Sequence, residues 1–125
     1  MLRLTPRRSV LVTRRPIPDA LGARLEASVG EARSACASGR VDDAWAALEV
    51  AHILSQPWWR PHVRVHWLML RLAVRTRDRH EIVGQLLRVV VAGPGSVTGR
   101  YPVGNTGRSN VPATQPMPMP EDLAA

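Results

Sequence analysis

The strongest constraint on the fold is a helical spacing of apolar residues between Asp19 and about Ala92. In its first stretch, apolar side chains recur every three or four residues, the period of an α-helix with one buried face. These side chains are Leu21, Leu25, Val29, Ala32 and Cys36. Glycine and proline interrupt the pattern, so it predicts four helices. They span about residues 19–38, 42–56, 59–76 and 78–92.

The predicted links are short, so successive helices should be antiparallel neighbours. The expected fold class is therefore all-α, either a four-helix antiparallel bundle or a pair of helical hairpins. Residues 1–18 form a basic N-terminal arm without a helical period, and residues 19–125 form a single domain. Within that domain, residues 93–125 are rich in glycine, proline and asparagine, and we expect them to pack on the helices as a long irregular arm.

Charge and cysteine content exclude several classes of protein. The 125 residues carry a net charge of +7, and all 17 basic residues are arginines, but they are spread along the chain. A nucleic-acid surface usually gathers them with stacking aromatic residues, so nucleic acid is a disfavoured partner. One cysteine excludes a thiolate-cage zinc site. The sequence has neither a membrane-spanning apolar run nor a signal-peptide core, so we expect a cytoplasmic protein.

Polar residues with metal-binding potential lie on inward faces of the second and third helices. Glu49, His52 and Gln56 share one narrow stripe of a helix that is otherwise mostly apolar and therefore buried. His62 and His66 lie opposite a row of arginines that marks the solvent side of the third helix. That row is Arg64, Arg71 and Arg75. The helical rotation of about 100° per residue therefore turns both histidines inward.

These residues predict a metal site, because an antiparallel pairing brings His52 close to the level of His62 and His66. Glu49 and His52 form a Glu-x-x-His step, and His62 and His66 form the i, i+4 pair that binds an ion from one helix face. Imidazoles with one carboxylate suit Fe, Zn, Cu or Ni. The predicted ligands are His52, His62 and His66, with Glu49 as fourth ligand or as a carboxylate behind them.

Three further residues rank below the ligands as supporting groups: Gln56, Glu81 and Gln85. We expect Glu81 mainly to cap the fourth helix, because Asp78 and Glu81 have the spacing of a capping box. His80 lies in the same exposed first turn and is expected to be solvated.

Of three alternatives for the function, the sequence favours a metal-dependent protein with an open position for catalysis. A metal site with an open position would suit an enzyme acting on a small-molecule substrate, whereas a closed site would suit storage or delivery of the ion. In the third alternative, the histidines form a hydrogen-bonded network with Glu49 and Gln56, and the protein is a metal-free helical module that binds protein or nucleic acid. No catalytic residue is assigned, and a homo-oligomer is compatible with each alternative.

Several motifs together resemble a family of small bacterial proteins of unknown function. They are Glu49-Val50-Ala51-His52, His62-x-x-x-His66, Gly84-Gln85-Leu86-Leu87-Arg88 and Gly104-Asn105-Thr106-Gly107-Arg108, followed by Met117-Pro118 and Glu121-Asp122-Leu123. The similarity covers about residues 20–123. It implies that the C-terminal arm belongs to the domain and that residues 1–18 are an extension. It implies no particular reaction.

Overall fold

The chain forms four α-helices in a computed structural model that describes residues 16–98, 107–108 and 117–118, with the backbone alone for 91–98. The helices are α1 (Asp19–Ala37), α2 (Val41–Ser55), α3 (Trp59–Arg75) and α4 (Arg79–Thr98). The all-α fold class is therefore confirmed for this part of the chain. Most of the predicted N-terminal arm and of the irregular C-terminal arm lies outside the described residues.

The helices are arranged as two hairpins. α1 packs mainly on α2 and α3 mainly on α4, while a smaller contact between α2 and α3 joins the pairs. Leu25 and Val29 of α1, Leu48 of α2 and Met69 of α3 belong to one buried apolar core. Of the two architectures allowed by the sequence, this arrangement corresponds to the pair of helical hairpins.

Both hairpins turn through the same left-handed C-terminal cap. Gly39 after α1 has φ 73°, and Arg77 after α3 has φ 57°. The backbone N–H of Arg40 bonds to the carbonyl of Ala35 at 2.8 Å, and that of Asp78 bonds to the carbonyl of Ala73 at 3.0 Å. Each of these hydrogen bonds spans six residues. It gives a partner to a backbone carbonyl at the helix end that would otherwise lack one. Only glycine adopts this backbone region without a steric cost, so the second turn is strained at Arg77.

One helix end differs from the sequence prediction by more than one residue. α4 runs to Thr98, six residues beyond the predicted end at Ala92. Gly93-Pro94-Gly95 was expected to stop this helix. The residue before a proline disfavours helical geometry partly because its Cβ clashes with the proline ring. Gly93 has no Cβ, so this part of the clash is absent before Pro94.

α4 has an inverted distribution of polarity. Its buried face carries Glu81, Gln85 and Arg88. Its solvent face carries large apolar side chains that are at least half exposed. These are Val83, Leu86, Leu87 and Val90. The interior face of a helix is normally the apolar one, so this polar interior face indicates a functional or structural demand inside the second hairpin.

Substitutions at the two turns should change the stability of the protein in opposite directions. We expect Arg77→Gly to raise the free energy of unfolding by up to about 1 kcal/mol, because glycine relieves the left-handed strain. Gly39→Ala should lower it by about 1 kcal/mol, since alanine introduces the same strain at the first turn. Urea unfolding of both variants measures these changes. A loss of stability in Arg77→Gly would contradict the assignment of strain.

Candidate metal centre

Three histidines meet inside the molecule. The Nε2 atoms of His52 and His66 are 3.0 Å apart, those of His62 and His52 are 3.1 Å apart, and those of His66 and His62 are 3.2 Å apart. The three nitrogens thus form a nearly equilateral triangle. We call these residues the histidine cluster. Only 3–5% of each residue is exposed, so bulk water hardly reaches the nitrogens.

The local sequence explains how the cluster forms. His52 lies in the last turn of α2, and the short link at 56–58 leads directly into α3. His62 and His66 are one turn apart on α3, so both imidazoles lie on the same face. The inward direction predicted for these histidines is confirmed. Arg71 and Arg75 are exposed on the other side of α3, as the arginine row indicated.

Hydrogen bonds among the histidines alone cannot satisfy the cluster. Each Nε2 either carries a proton or presents a lone pair. At least two of the three nitrogens must therefore be of the same kind, and the contact between those two is repulsive. A cation between three lone pairs removes this conflict at every edge of the triangle. The three histidines can therefore hold a cation in this geometry.

The size of the triangle suits a first-row transition metal. With metal–nitrogen bonds of about 2.0–2.1 Å, neighbouring nitrogens are about 2.9 Å apart on an octahedral face and about 3.3 Å apart in a tetrahedron. The observed separations of 3.0–3.2 Å lie between these two values. The three histidines also form the one group of candidate ligands, among the described residues, whose donor atoms all approach within 4.8 Å.

Gln85 determines the tautomer of His66. The side-chain amide nitrogen of Gln85 donates to Oε2 of Glu81 at 3.1 Å and to the carbonyl of Gly107 at 2.7 Å. The amide oxygen therefore points to His66 Nδ1, 2.7 Å away, and must accept a proton from it. With the proton on Nδ1, Nε2 of a neutral His66 presents its lone pair to the cluster. A partner on the second ring nitrogen typically orients metal-binding histidines in this way.

Electrostatics keep His66 neutral. Burial lowers the pKa of His66 to about 4, the hydrogen bond with Gln85 opposes this shift, and the charge of Arg88 adds to it. At neutral pH the imidazole is therefore uncharged and suited to bind a metal ion. Burial also lowers the pKa of Arg88, while the nearby carboxylate of Glu81 raises it.

Gly107, far along the chain, packs against the ring of His52. A Cβ atom built on Gly107 would lie 2.7 Å from Cδ2 and 2.9 Å from Nε2 of that imidazole, so no other residue fits without a shift. Its φ of 82° also favours glycine. The Gly107 carbonyl is the group that accepts the hydrogen bond from Gln85. The Gly107–Arg108 segment therefore covers one face of the histidine cluster.

Arg108 attaches this segment to two helices. Its Nε donates to Oε1 of Glu81 at 2.6 Å, and its NH1 forms a longer ion pair with Oε1 of Glu49 at 3.5 Å. The guanidinium carbon lies 3.9 Å from the ring centroid of Trp45, within cation–π range. A partly buried charge-assisted bond of this kind is stronger than an exposed ion pair. Arg108 therefore joins α2 and α4 over the site.

The other predicted site residues are Gln85, Glu81, Glu49 and Gln56. Gln85 contacts His66 directly, and Glu81 contacts Gln85. Glu49 lies on the predicted stripe, but its carboxylate pairs with Arg108 and does not join the group of close donor atoms. Burial raises the pKa of Glu49, although Arg108 opposes the shift. Gln56 is buried directly after α2.

Two details at the start of α4 refine the sequence prediction. Asp78 caps the helix, accepting from the backbone N–H of Glu81 at 3.1 Å. The carboxylate of Glu81, expected mainly to serve the cap, is instead buried between Gln85 and Arg108. His80 is exposed, as predicted.

The sequence analysis did not identify Gly107, Arg108 or Arg88 as part of the site. A signal was available, because Gly107-Arg108 and Gln85 to Arg88 lie within motifs that carry the family resemblance. A glycine followed by an arginine nevertheless has no local periodicity that would place it beside a histidine on α2. Only the folded chain brings these residues together.

The fold and the site define an all-helical protein with a buried cluster of three histidines at the junction of two helical hairpins. The chain belongs to the family described as protein of unknown function DUF3703, whose model matches residues 19–125. The resemblance to an uncharacterised family is thereby confirmed. No curated protein and no solved structure matches the chain. Among the described residues, no helix is long and apolar enough to span a membrane.

The packing of Gly107 against His52 predicts a position-specific effect of adding one methyl group. We expect Gly107→Ala to lower the free energy of unfolding by about 1–3 kcal/mol, through the clash with the imidazole and the strained φ. Gly30→Ala is the matched control, because Gly30 lies within α1 and a Cβ there meets nothing within 4 Å. In that control, we expect the free energy of unfolding to rise by about 0.5–1 kcal/mol, because alanine favours the helix more than glycine does. Equal effects in urea unfolding would contradict the role of Gly107.

Proposed function

We propose that this protein binds one transition-metal ion through Nε2 of His52, His62 and His66. The observation that carries the proposal is the triangle of these nitrogens at 3.0–3.2 Å. Neutral imidazole ligands suit Fe, Zn, Cu or Ni better than Mg or Ca. Glu49 then acts as a carboxylate behind the ligands, since it interacts with Arg108 at the edge of the site.

A centre with three protein ligands supports exchange at a further position. Structural zinc sites are closed by four protein ligands, whereas catalytic sites use three and leave a position for water or substrate. Among the described residues, three imidazoles form the ligand group and no carboxylate joins them. This favours a metal-dependent protein that acts on a small ligand over a storage site closed by four side chains. In such a centre the ion would polarise a bound ligand or activate water.

Metal analysis of protein purified without an affinity tag tests the proposal. We expect about one transition-metal ion per chain, with X-ray absorption indicating three nitrogen neighbours of imidazole type at about 2.0–2.1 Å. His66→Ala should weaken the affinity by more than about 100-fold, because a direct ligand is lost. His80→Ala should retain the wild-type affinity, because this imidazole is exposed on the first turn of α4.

The wild-type measurement keeps the test independent of whether a variant folds. Circular dichroism establishes whether each histidine variant retains its helices before its affinity is interpreted. Metal-free wild-type protein that is fully helical and ignores added Zn, Fe, Cu and Ni would overturn the proposal. An equal loss of affinity in His66→Ala and His80→Ala would place the ion elsewhere.

Gln85 allows a second test, of how the site is supported. Gln85→Leu removes the acceptor that holds the proton on His66 Nδ1, so we expect metal affinity to fall about 10- to 100-fold. Leu86→Ala, an exposed change at the adjacent position of α4, is the control and should leave affinity nearly unchanged. Competition with a chromophoric chelator measures both affinities. Wild-type affinity in Gln85→Leu would show that this hydrogen bond does not prepare the ligand.

A further inference from the structure

The charges around the histidine cluster are balanced before any metal ion is added. Two carboxylates, Glu49 and Glu81, face two guanidinium groups, Arg88 and Arg108, and all three imidazoles lie in the same buried region. Arg108 contacts both carboxylates, and the charge of Arg88 acts on both Glu81 and His66. Within the described part of the chain, the site therefore has two negative and two positive side chains around the three imidazoles.

A divalent ion held by neutral imidazoles adds two positive charges to this balanced site. Uncompensated charge in a buried, low-dielectric region is costly. The two carboxylates, Glu49 and Glu81, already form ion pairs with Arg108. They therefore compensate the charge of the ion only at a distance, without binding it. The electrostatically favoured partner is therefore an anion that reaches the ion directly.

Space restricts which anion fits. Gly107 lies against His52 so closely that a single added Cβ would be 2.9 Å from the nitrogen that would bind the ion. The histidines are only 3–5% exposed, so burial restricts the approach of a bulky ligand from solvent. A ligand of a few atoms is compatible with both facts.

We propose that the metal centre takes a small monoanion as its exogenous ligand, either hydroxide, formed when a bound water releases a proton to solvent, or an inorganic anion of about three atoms. This inference rests on the proposed metal site and specifies its ligand class. Binding an added anion is a ligand exchange: the bond from the metal to water or hydroxide breaks, the bond to the anion forms, and no electron is transferred. The Gly107–Arg108 segment selects for size, and the surrounding charges adjust the affinity.

Cobalt(II)-substituted protein separates this inference from the metal site itself. Cobalt is first titrated into metal-free protein, and the visible absorption of the complex reports one bound ion. Azide is then added as the small-anion probe, with benzoate as a bulky anion for comparison. We expect a saturable 1:1 change in the cobalt spectrum with azide and an affinity for benzoate at least about tenfold weaker.

Two variants test the electrostatic reason, because they should shift azide affinity in opposite directions. Glu49→Gln removes a negative charge and should strengthen azide binding about three- to tenfold, whereas Arg108→Gln removes a positive charge and should weaken it by a similar factor. A merely structural disturbance would weaken binding in both. Azide affinity is therefore measured on fully cobalt-loaded protein in each case.

The outcomes distinguish the two proposals. Failure of cobalt to bind would overturn the metal site and, with it, the anion site. Cobalt binding with a spectrum that azide leaves unchanged would support the metal site and overturn the anion inference. Equal affinity for azide and benzoate would overturn the size restriction, and shifts of the same sign in both variants would overturn the role of charge.

Discussion

The structure depends on a conflict between three imidazole nitrogens that approach one another in a buried place. Nitrogens 3.0–3.2 Å apart at every edge of a triangle cannot all be paired by protons, because each carries either one proton or one lone pair. A cation resolves the conflict at all three edges. Gln85 holds the proton of His66 on Nδ1, so Nε2 of this histidine presents a lone pair, which is the state that a cation requires.

The inverted polarity of α4 follows from the same requirement. Gln85 must present its amide oxygen to His66, and its amide nitrogen then needs acceptors, which Glu81 and the Gly107 carbonyl supply. Arg108 completes the set by pairing with Glu81. A buried polar network is stable only when each member is satisfied, and the side chains of Gln85, Glu81 and Arg108 satisfy one another and the Gly107 carbonyl in this way. The helix thus gives its interior face to the site, and its large apolar side chains lie on the solvent face.

Helix positions and the inward direction of the histidines could be predicted from the sequence because both follow from local periodicity. Apolar spacing located the helices, and the arginine row on α3 indicated which face meets water. The exact ends were harder to predict. Arg77 adopts a left-handed turn where glycine is usual, and α4 continues through Pro94. In both cases the general preference of a residue type placed the helix end only approximately.

The sequence by itself determined that the protein is helical and that His52, His62 and His66 lie on buried faces, since the 3.6-residue period relates positions only a few residues apart. The tertiary structure decided what surrounds them. Arg108 reaches Glu81 across 27 positions and Glu49 across 59, and Gly107 contacts His52 over a similar distance along the chain. Such contacts depend on how the hairpins and the C-terminal segment pack, and no periodic pattern encodes that packing.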